Sequence, residues 1–255
     1  MMRTKELLLY RQMEDGQILK DMTFLMENYK NEYYNKEDLK ELLFETLNRL
    51  LELAVSHGFA GNLWHTYLTY LLASHENAYS TSCEIVGETK GSINCAALHD
   101  FVIFKELFDY DFSDMEKVLK TGCLSVIENY ERSNSHGKVF NKRIRDRICE
   151  LSKSLVKAAD GTEFKTIVTQ FYKDFGVGKL GLHKAFRIEH EKDGARIVPI
   201  TKIAHVHLDD LVGYEIAKKK LICNTEAFVN GKKANNCLLF GDAGTGKSSS
   251  VKAIL

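Results

Sequence analysis

Residues 238–255 read LLFGDAGTGKSSSVKAIL, and this stretch decides which fold is expected for the last part of the chain. Residues 241–248 fit the phosphate-loop pattern of a glycine, four residues and then Gly-Lys-Ser. A short apolar run from Cys237 to Phe240 precedes the loop, and an amphipathic helical start follows it. A strand, a glycine turn and a helix N-terminus in this order aim backbone N–H groups at phosphate oxygens. The stretch therefore predicts the start of an α/β P-loop NTPase domain.

The loop residues have separate expected roles in binding ATP and Mg²⁺. Lys247 is expected to reach the β- and γ-phosphates, and the Ser248 hydroxyl is expected to hold Mg²⁺. The other cofactor-binding positions predicted in this stretch are Gly241, Asp242, Ala243, Gly244, Thr245, Gly246 and Ser249. A chance glycine turn is the alternative, but the strand, the loop and Lys-Ser all occur in register.

A second motif lies one predicted helix upstream, where Asp210-Leu211-Val212-Gly213 leads into a helix expected from about Tyr214 to Val229. It resembles the segment ahead of the P-loop in AAA+ ATPases, an acidic-apolar-apolar-Gly turn that packs near the adenine base. The resemblance implies that Leu211, Val212 and Gly213 contact the nucleotide.

Three segments together resemble one family: NLWHTYLTYLLASHENAYSTSCE at 62–84, DDLVGYE at 209–215 and NTEAFVNGKKANNCLLFGDAGTGKSS at 224–249. They are similar to an uncharacterised bacterial family of AAA+-like ATP-binding proteins, the domain-of-unknown-function family numbered 815. The Asn-Thr-Glu-Ala-Phe and Ala-Asn-Asn segments are more specific than the P-loop itself. The resemblance covers nearly the whole chain and implies a helical N-terminal region ahead of an ATPase module, whose core continues further in the family.

Residues 1–180 are predicted to form an α-helical domain, because apolar residues recur there at helical spacing. In residues 35–58 such a stripe lies between Asn35, a predicted N-cap, and Gly58, a predicted stop. Several amphipathic helices of this kind bury their stripes against one another, which predicts a helical bundle.

Two capping boxes are predicted further along the bundle, at Ser113 with Glu116 and at Asp160 with Glu163. The first is expected to begin one helix over 113–130. The apolar stripes behind these starts and in the intervening helix are Met115, Val118, Leu119, Val126, Ile127, Phe140, Ile144, Ile148, Leu151, Leu155, Phe164, Ile167, Val168, Phe171 and Tyr172.

Residues 181–204 are predicted to be a linker with a β-hairpin, because short β-type runs flank Asp193-Gly194. Residues 205–255 follow as the partial AAA+ ATPase domain. The pattern G-x-G-x-x-G at 176–181 follows a helix instead of a strand, so we interpret it as a helix stop and not as a dinucleotide site. His205 and His207 could share a strand face, but a third metal ligand is not evident, so ordinary strand histidines are preferred.

The composition limits which binding partners and which cellular location are expected for the chain. Lys and Arg together number 35, as do Asp and Glu, so the zero net charge argues against bulk binding to DNA or an anionic membrane. A basic cluster at 138–147 is interpreted as the solvent face of a helix. The chain shows no secretory signal and no apolar run long enough to span a membrane, and its six cysteines are scattered. A cytoplasmic location with reduced thiols is expected.

Two functions are consistent with these sequence features. In the first, the chain is the N-terminal part of an AAA+-type ATPase that binds Mg-ATP and that self-associates in its complete form. The acidic pair, sensor and arginine needed for hydrolysis follow the P-loop in such proteins, so they are expected beyond residue 255 and no catalytic residue is assigned. The chain alone is therefore expected not to hydrolyse ATP and to bind it poorly. In the second, the helical domain is a stand-alone protein-interaction module and the P-loop is a remnant.

Overall fold

The structure, a computed structural model, describes residues 3–88, 90–132, 141–178, 183, 185–191, 194–200 and 206–254. The chain forms two compact units, Met1–His183 and Lys184–Leu255. Each unit is described separately below. The functional division into a helical domain, a linker and an ATPase domain stays a prediction.

The described part of the first unit is helical. After a short 3-10 turn at Thr4–Glu6, its α-helices are α1 (Gln17–Asn28), α2 (Lys36–His57), α3 (Leu63–Ser74), α4 (Ala78–Val86), α5 (Ile93–Phe108), α6 (Ser113–Leu119), α7 (Leu124–Glu128), α8 (Lys142–Lys157) and α9 (Gly161–Phe175). They enclose one hydrophobic core to which all nine of these helices contribute. The prediction of a helical bundle for this part of the chain is confirmed.

Helix α2 begins and ends where the sequence predicts. The Asn35 side chain accepts a hydrogen bond from the Glu37 N–H, which satisfies one of the free donors of the first turn. Gly58 ends the helix in the left-handed conformation, with φ of 71°, where glycine carries no steric penalty. The Asp160 side chain likewise caps α9 by accepting from the N–H groups of Thr162 and Glu163.

The first predicted capping box is wrong. Ser113 does not cap a helix: its N–H donates to the Asp111 carboxylate, which lies just ahead of α6. Glu116 instead turns toward the loop after α6 and accepts from the N–H groups of Gly122 and Leu124. The expected single helix over 113–130 is divided into α6 and α7, because Lys120 and Gly122 both adopt positive φ.

The second box forms only in part, since Glu163 accepts from the Ala159 N–H and not from that of the N-cap, Asp160. Most of the predicted stripe residues are buried, with half-buried Val118 and Ile167 and exposed Val126 as the exceptions. Phe140 lies outside the described residues. The stripes of α8 and α9 are therefore confirmed where the structure describes them.

A buried carboxylate ties the N-terminal segment to α5. Asp100 is fully buried on the apolar face of that helix, and its oxygens accept from three successive backbone N–H groups. The distances are 2.9 Å from Leu8, 2.7 Å from Leu9 and 3.1 Å from Tyr10. Buried backbone donors without partners are costly, so this one side chain allows a non-helical segment to enter the core.

A chain of hydroxyl groups continues from the same segment. The Tyr172 hydroxyl donates to the Leu72 carbonyl at 2.8 Å, so the Tyr10 hydroxyl, 2.8 Å away, donates to Tyr172. Burial raises the pKa of both phenols, which keeps them protonated as donors. The segment 8–10 is thereby linked to α3 and α9 as well as to α5.

Helices α5 and α9 approach closely at Gly161. A Cβ atom added there would lie 2.5 Å from Val102 Cγ2 and 3.0 Å from Val102 Cα. Only a residue without a side chain fits at this crossing, so glycine here is required by packing and not by backbone conformation.

The second unit begins with the predicted hairpin. Strand β1 (Phe186–Glu191) pairs antiparallel with β2 (Gly194–Pro199), in a register that places Glu191 opposite Gly194. A 3-10 turn at Leu208–Asp210, helix α10 (Glu215–Val229) and helix α11 (Lys247–Ile254) follow. The hairpin and α10 confirm the sequence prediction, whereas the described residues show no strand at 237–240.

We expect Asp100→Ala to lower the free energy of unfolding by about 3 kcal/mol or more, because it leaves three backbone donors without their acceptor. Urea denaturation followed by circular dichroism would measure the change. Asp109→Ala is the matched control, since Asp109 lies on the surface at the end of the same helix and pairs with Lys105. A loss for Asp100→Ala no larger than for the control would contradict the assigned role.

We expect Gly161→Ala to destabilise the protein by about 1–3 kcal/mol, because the new methyl group overlaps Val102. The double variant Val102→Ala with Gly161→Ala removes the branched side chain that the methyl group meets at 2.5 Å. It should therefore recover part of the loss, relative to the sum of the two single variants. If the double variant shifts the denaturation midpoint by the sum of the two single-variant shifts, the contact between Gly161 and Val102 is contradicted.

Candidate functional site

The predicted phosphate loop has the backbone conformation that its glycines allow. Gly241, Gly244 and Gly246 have φ values of 142°, 80° and 77°, a region that side chains with a Cβ rarely adopt. Helix α11 begins directly after the third glycine at Lys247, and the Ser250 N–H donates to the Gly246 carbonyl. The loop thus meets the N-terminus of a helix, where backbone N–H groups and the helix dipole favour an anion.

The Lys247 ammonium lies inside this loop. Its Nζ donates to the Gly241 carbonyl at 2.9 Å and to the Asp242 carbonyl at 2.6 Å, and it lies 3.3 Å from Thr245 Oγ1. The Thr245 hydroxyl itself donates to the Asp242 carbonyl at 2.9 Å. The side chain therefore folds back over its own loop and holds a fixed positive charge there.

The upstream turn packs against the loop. The Asp210 carboxylate accepts from the His207 N–H at 2.7 Å, which closes the 3-10 turn. A Cβ atom added to Gly246 would lie 3.5 Å from Leu211 Cδ2, so the turn and the third loop glycine are in contact distance. Gly213 and Tyr214 follow with φ of 84° and 57°, and the chain then enters α10.

The turn, α10 and the loop line one cavity of about 830 Å³. This size is within the range usual for small-molecule sites. Of the predicted site residues, the structure brings together at this cavity Leu211, Val212, Gly213, Gly241, Asp242, Ala243, Gly244, Thr245, Gly246 and Lys247. Ser248 and Ser249 lie on the first turn of α11 but do not line the cavity, and Ser248 is exposed.

Other residues that line the cavity were not predicted as site residues. On α10 and α11 they are Ala217, Lys218, Leu221 and Ser250, and the flanks of the two motifs add Asp210, Tyr214, Leu238, Leu239 and Phe240. The first three lie at helical spacing on one face of α10, and this spacing is the signal that could have identified them. Lys218 is mostly buried, and its ammonium donates to the Leu211 carbonyl at 2.7 Å and pairs with Glu215 at 2.6 Å.

Asn224 fixes the segment that leads into the loop. Its side-chain amide accepts from the Asn235 N–H at 2.9 Å and donates to the Asn235 carbonyl at 2.8 Å. It thus pairs with the backbone of Asn235 as a neighbouring strand would. The amide nitrogen also lies 3.2 Å from Cys237 Sγ. The two family-like segments, Asn-Thr-Glu-Ala-Phe and Ala-Asn-Asn, therefore contact each other through this side chain.

The apolar run before the loop is not covered. The side chains of Leu238 and Phe240 are 83% and 86% exposed, and within 206–254 the structure assigns the run to no sheet. Because no sheet holds this run, residues 235–247 are fixed by side-chain contacts. Asn224 holds the beginning of the segment, and the contacts of Lys247 hold its end.

The weaker motifs have a structural role or lie outside the described residues. Gly176 ends α9 with its N–H on the Tyr172 carbonyl, as expected for a helix stop, and Val177 is buried. His205 is outside the described residues, so the His205–His207 pair cannot be placed. In the part of the chain that the structure describes, no three His, Cys, Asp or Glu side chains are grouped to hold a metal ion.

In the described part of the basic cluster at 138–147, two arginines contact nearby side chains. Arg145 pairs with Asp146, and the Arg147 guanidinium lies 4.2 Å from the centre of the Phe175 ring. Separately, no helix among the described residues is both long and apolar enough to cross a membrane.

Comparison with known proteins finds that the C-terminal part of the chain is similar to one family. The sequence model of the family described as "Protein of unknown function (DUF815)" matches residues 181–255. The match supports that family for a stretch containing the hairpin, the turn and the glycine loop, and its description assigns no function. Residues 62–84, which resemble the same family, lie outside the match. No curated protein and no solved structure matches the chain.

We expect Asn224→Ala to speed hydrogen exchange of the Asn235 amide about 5–10-fold, because each lost hydrogen bond contributes roughly 0.5–1.5 kcal/mol. Exchange measured by NMR at single amides would test this. Asn230→Ala is the control, since the Asn230 side chain, just after α10, donates to the Glu226 carbonyl of that helix and not to the segment before the loop. Equal exchange rates of the Asn235 amide in both variants would contradict the role assigned to Asn224.

Proposed function

We propose that the second unit binds Mg-ATP through residues 241–249 and the turn at 211–213, as the nucleotide-binding part of an AAA+-type ATPase. The observation that carries this proposal is the position of Lys247. Its ammonium sits within a loop built by three positive-φ glycines, directly at the start of a helix. That combination concentrates positive potential where the phosphates of a nucleotide would lie.

The donor set of the loop fits a polyphosphate. Backbone N–H groups and a lysine ammonium are the groups that bind phosphate oxygens in such loops. Lys247 now donates to two neutral carbonyls, and phosphate oxygens, being charged, are stronger acceptors. Gly244 faces open space, so an added Cβ would meet no atom within 4 Å, and only its positive φ requires glycine.

Mg²⁺ fits the same stretch through Ser248. The hydroxyl is exposed on the first turn of α11, and hydroxyl oxygen is a hard ligand of the kind that Mg²⁺ prefers. A bound Mg²⁺ would neutralise part of the phosphate charge. Ser248 would hold the ion, Lys247 would hold the phosphates, and no residue of the chain is given a catalytic role.

The turn supplies a surface for the base. Leu211 and Val212 both line the cavity, and Val212 is 94% exposed. Apolar side chains of this kind suit the flat face of a nucleobase, whose burial is favourable. The cavity therefore offers a charged end at the loop and an apolar end at the turn.

We expect wild-type protein to bind Mg-ATP and Lys247→Ala to weaken the affinity at least about 10-fold, the loss of one charge-assisted contact. Isothermal titration calorimetry would measure both. Lys252→Ala is the matched control, because Lys252 is an exposed lysine of the same helix and removes the same charge. Equal affinity in all three proteins would refute the site and favour the interaction module with a remnant loop.

A further inference from the structure

We infer that Lys218 is a positioning residue that fixes the base-facing turn, so that recognition of the nucleoside depends on it while recognition of the phosphates does not. The inference rests on the proposed function. It concerns a residue that the P-loop pattern does not contain and that lies on α10, outside both predicted motifs.

The turn has little else to hold its shape. None of the described residues in 206–214 is buried, so hydrophobic packing contributes little there. Tyr214 has φ of 57°, a left-handed conformation that is unfavourable for a residue with a side chain. A strained, exposed turn keeps one conformation only where specific contacts favour it.

Lys218 makes two of those contacts. Its backbone N–H donates to the Tyr214 carbonyl at 2.9 Å, and its ammonium donates to the Leu211 carbonyl at 2.7 Å. The side chain is 14% exposed, and Glu215 balances its charge at 2.6 Å. The lysine therefore spans the turn from its last residue back to Leu211. The Leu211 side chain lies beside Gly246 of the loop, 3.5 Å from where a Cβ atom of that residue would be.

The two lysines of the cavity hold different parts of it. Lys247 bonds to carbonyls of the phosphate loop, and Lys218 bonds to a carbonyl of the turn. Among the described residues, Lys247 bonds only to neutral groups of the loop, whereas the Glu215 carboxylate already balances the charge of Lys218. We therefore expect the contribution of Lys218 to phosphate binding to be small. If the turn loses Lys218, binding of the base must first order the turn, which weakens the affinity.

The test compares ATP with inorganic tripolyphosphate, which carries the phosphates without a nucleoside, by calorimetry in the presence of Mg²⁺. Lys218→Met keeps the length and apolar stem of the side chain and removes the donor. We expect it to weaken ATP binding roughly 10-fold and to leave tripolyphosphate binding within about 2-fold. Lys219→Met is the control, because it removes an equal charge from an exposed neighbouring position and should change neither affinity.

The other outcomes separate the two hypotheses. If Lys218→Met weakens both ligands equally, Lys218 contacts phosphate or supports the whole unit, and the inference is overturned. If it weakens neither, the turn needs no such contact, and the inference is overturned while the proposed function stands. If wild-type protein binds neither ATP nor tripolyphosphate, the proposed function fails and the inference fails with it.

Discussion

Backbone polar groups outside regular structure need partners, and in this protein single side chains supply them. Asp100 accepts from three successive N–H groups of residues 8–10 and so allows an irregular segment into the core of the bundle. Tyr10 of that segment then reaches Tyr172, which in turn bonds to Leu72. The association of α3, α5 and α9 with the N-terminal segment follows from this one carboxylate, because an unpaired buried donor would oppose it.

The second unit uses the same principle without a buried core. Among its described residues none is buried, and the contacts that fix its loops are side chain to backbone. Asn224 pairs with Asn235, Lys218 holds Leu211, and Lys247 holds Gly241 and Asp242. Each of these bonds is exposed or half-buried and contributes modestly, so the cavity is held by several weak contacts that act on separate segments.

This arrangement bears on how a nucleotide would bind. The loop conformation is set locally by glycines, so the end of the cavity that is proposed to bind phosphates is largely formed in advance. The turn, which is proposed to face the base, depends instead on side-chain contacts from Lys218 and Asp210. Phosphate binding and base recognition are therefore expected to respond differently to the same destabilisation.

Local signals in the sequence predicted the bounds of α2, the start of α9 and the backbone conformation of the loop glycines. Asn35, Gly58 and Asp160 act within a few residues of their own positions, and helical periodicity identified the buried faces of α2, α8 and α9. The glycines at 241, 244 and 246 adopt the positive φ that their pattern requires, because this preference belongs to the residue itself.

Only the tertiary structure determined which hydrogen-bond and packing partners meet when they are separated in the sequence. Glu116 has the spacing of a capping box. Its carboxylate nevertheless accepts from the N–H groups of Gly122 and Leu124, which lie in the folded chain after α6, and not from the start of that helix. Asp100 lies among apolar neighbours as an apparent exception, and Gly161 is explained only by Val102 on another helix. Spacing within one element determines which face of a helix is apolar. It carries no information about which distant backbone group a side chain will meet, because packing alone brings the two together.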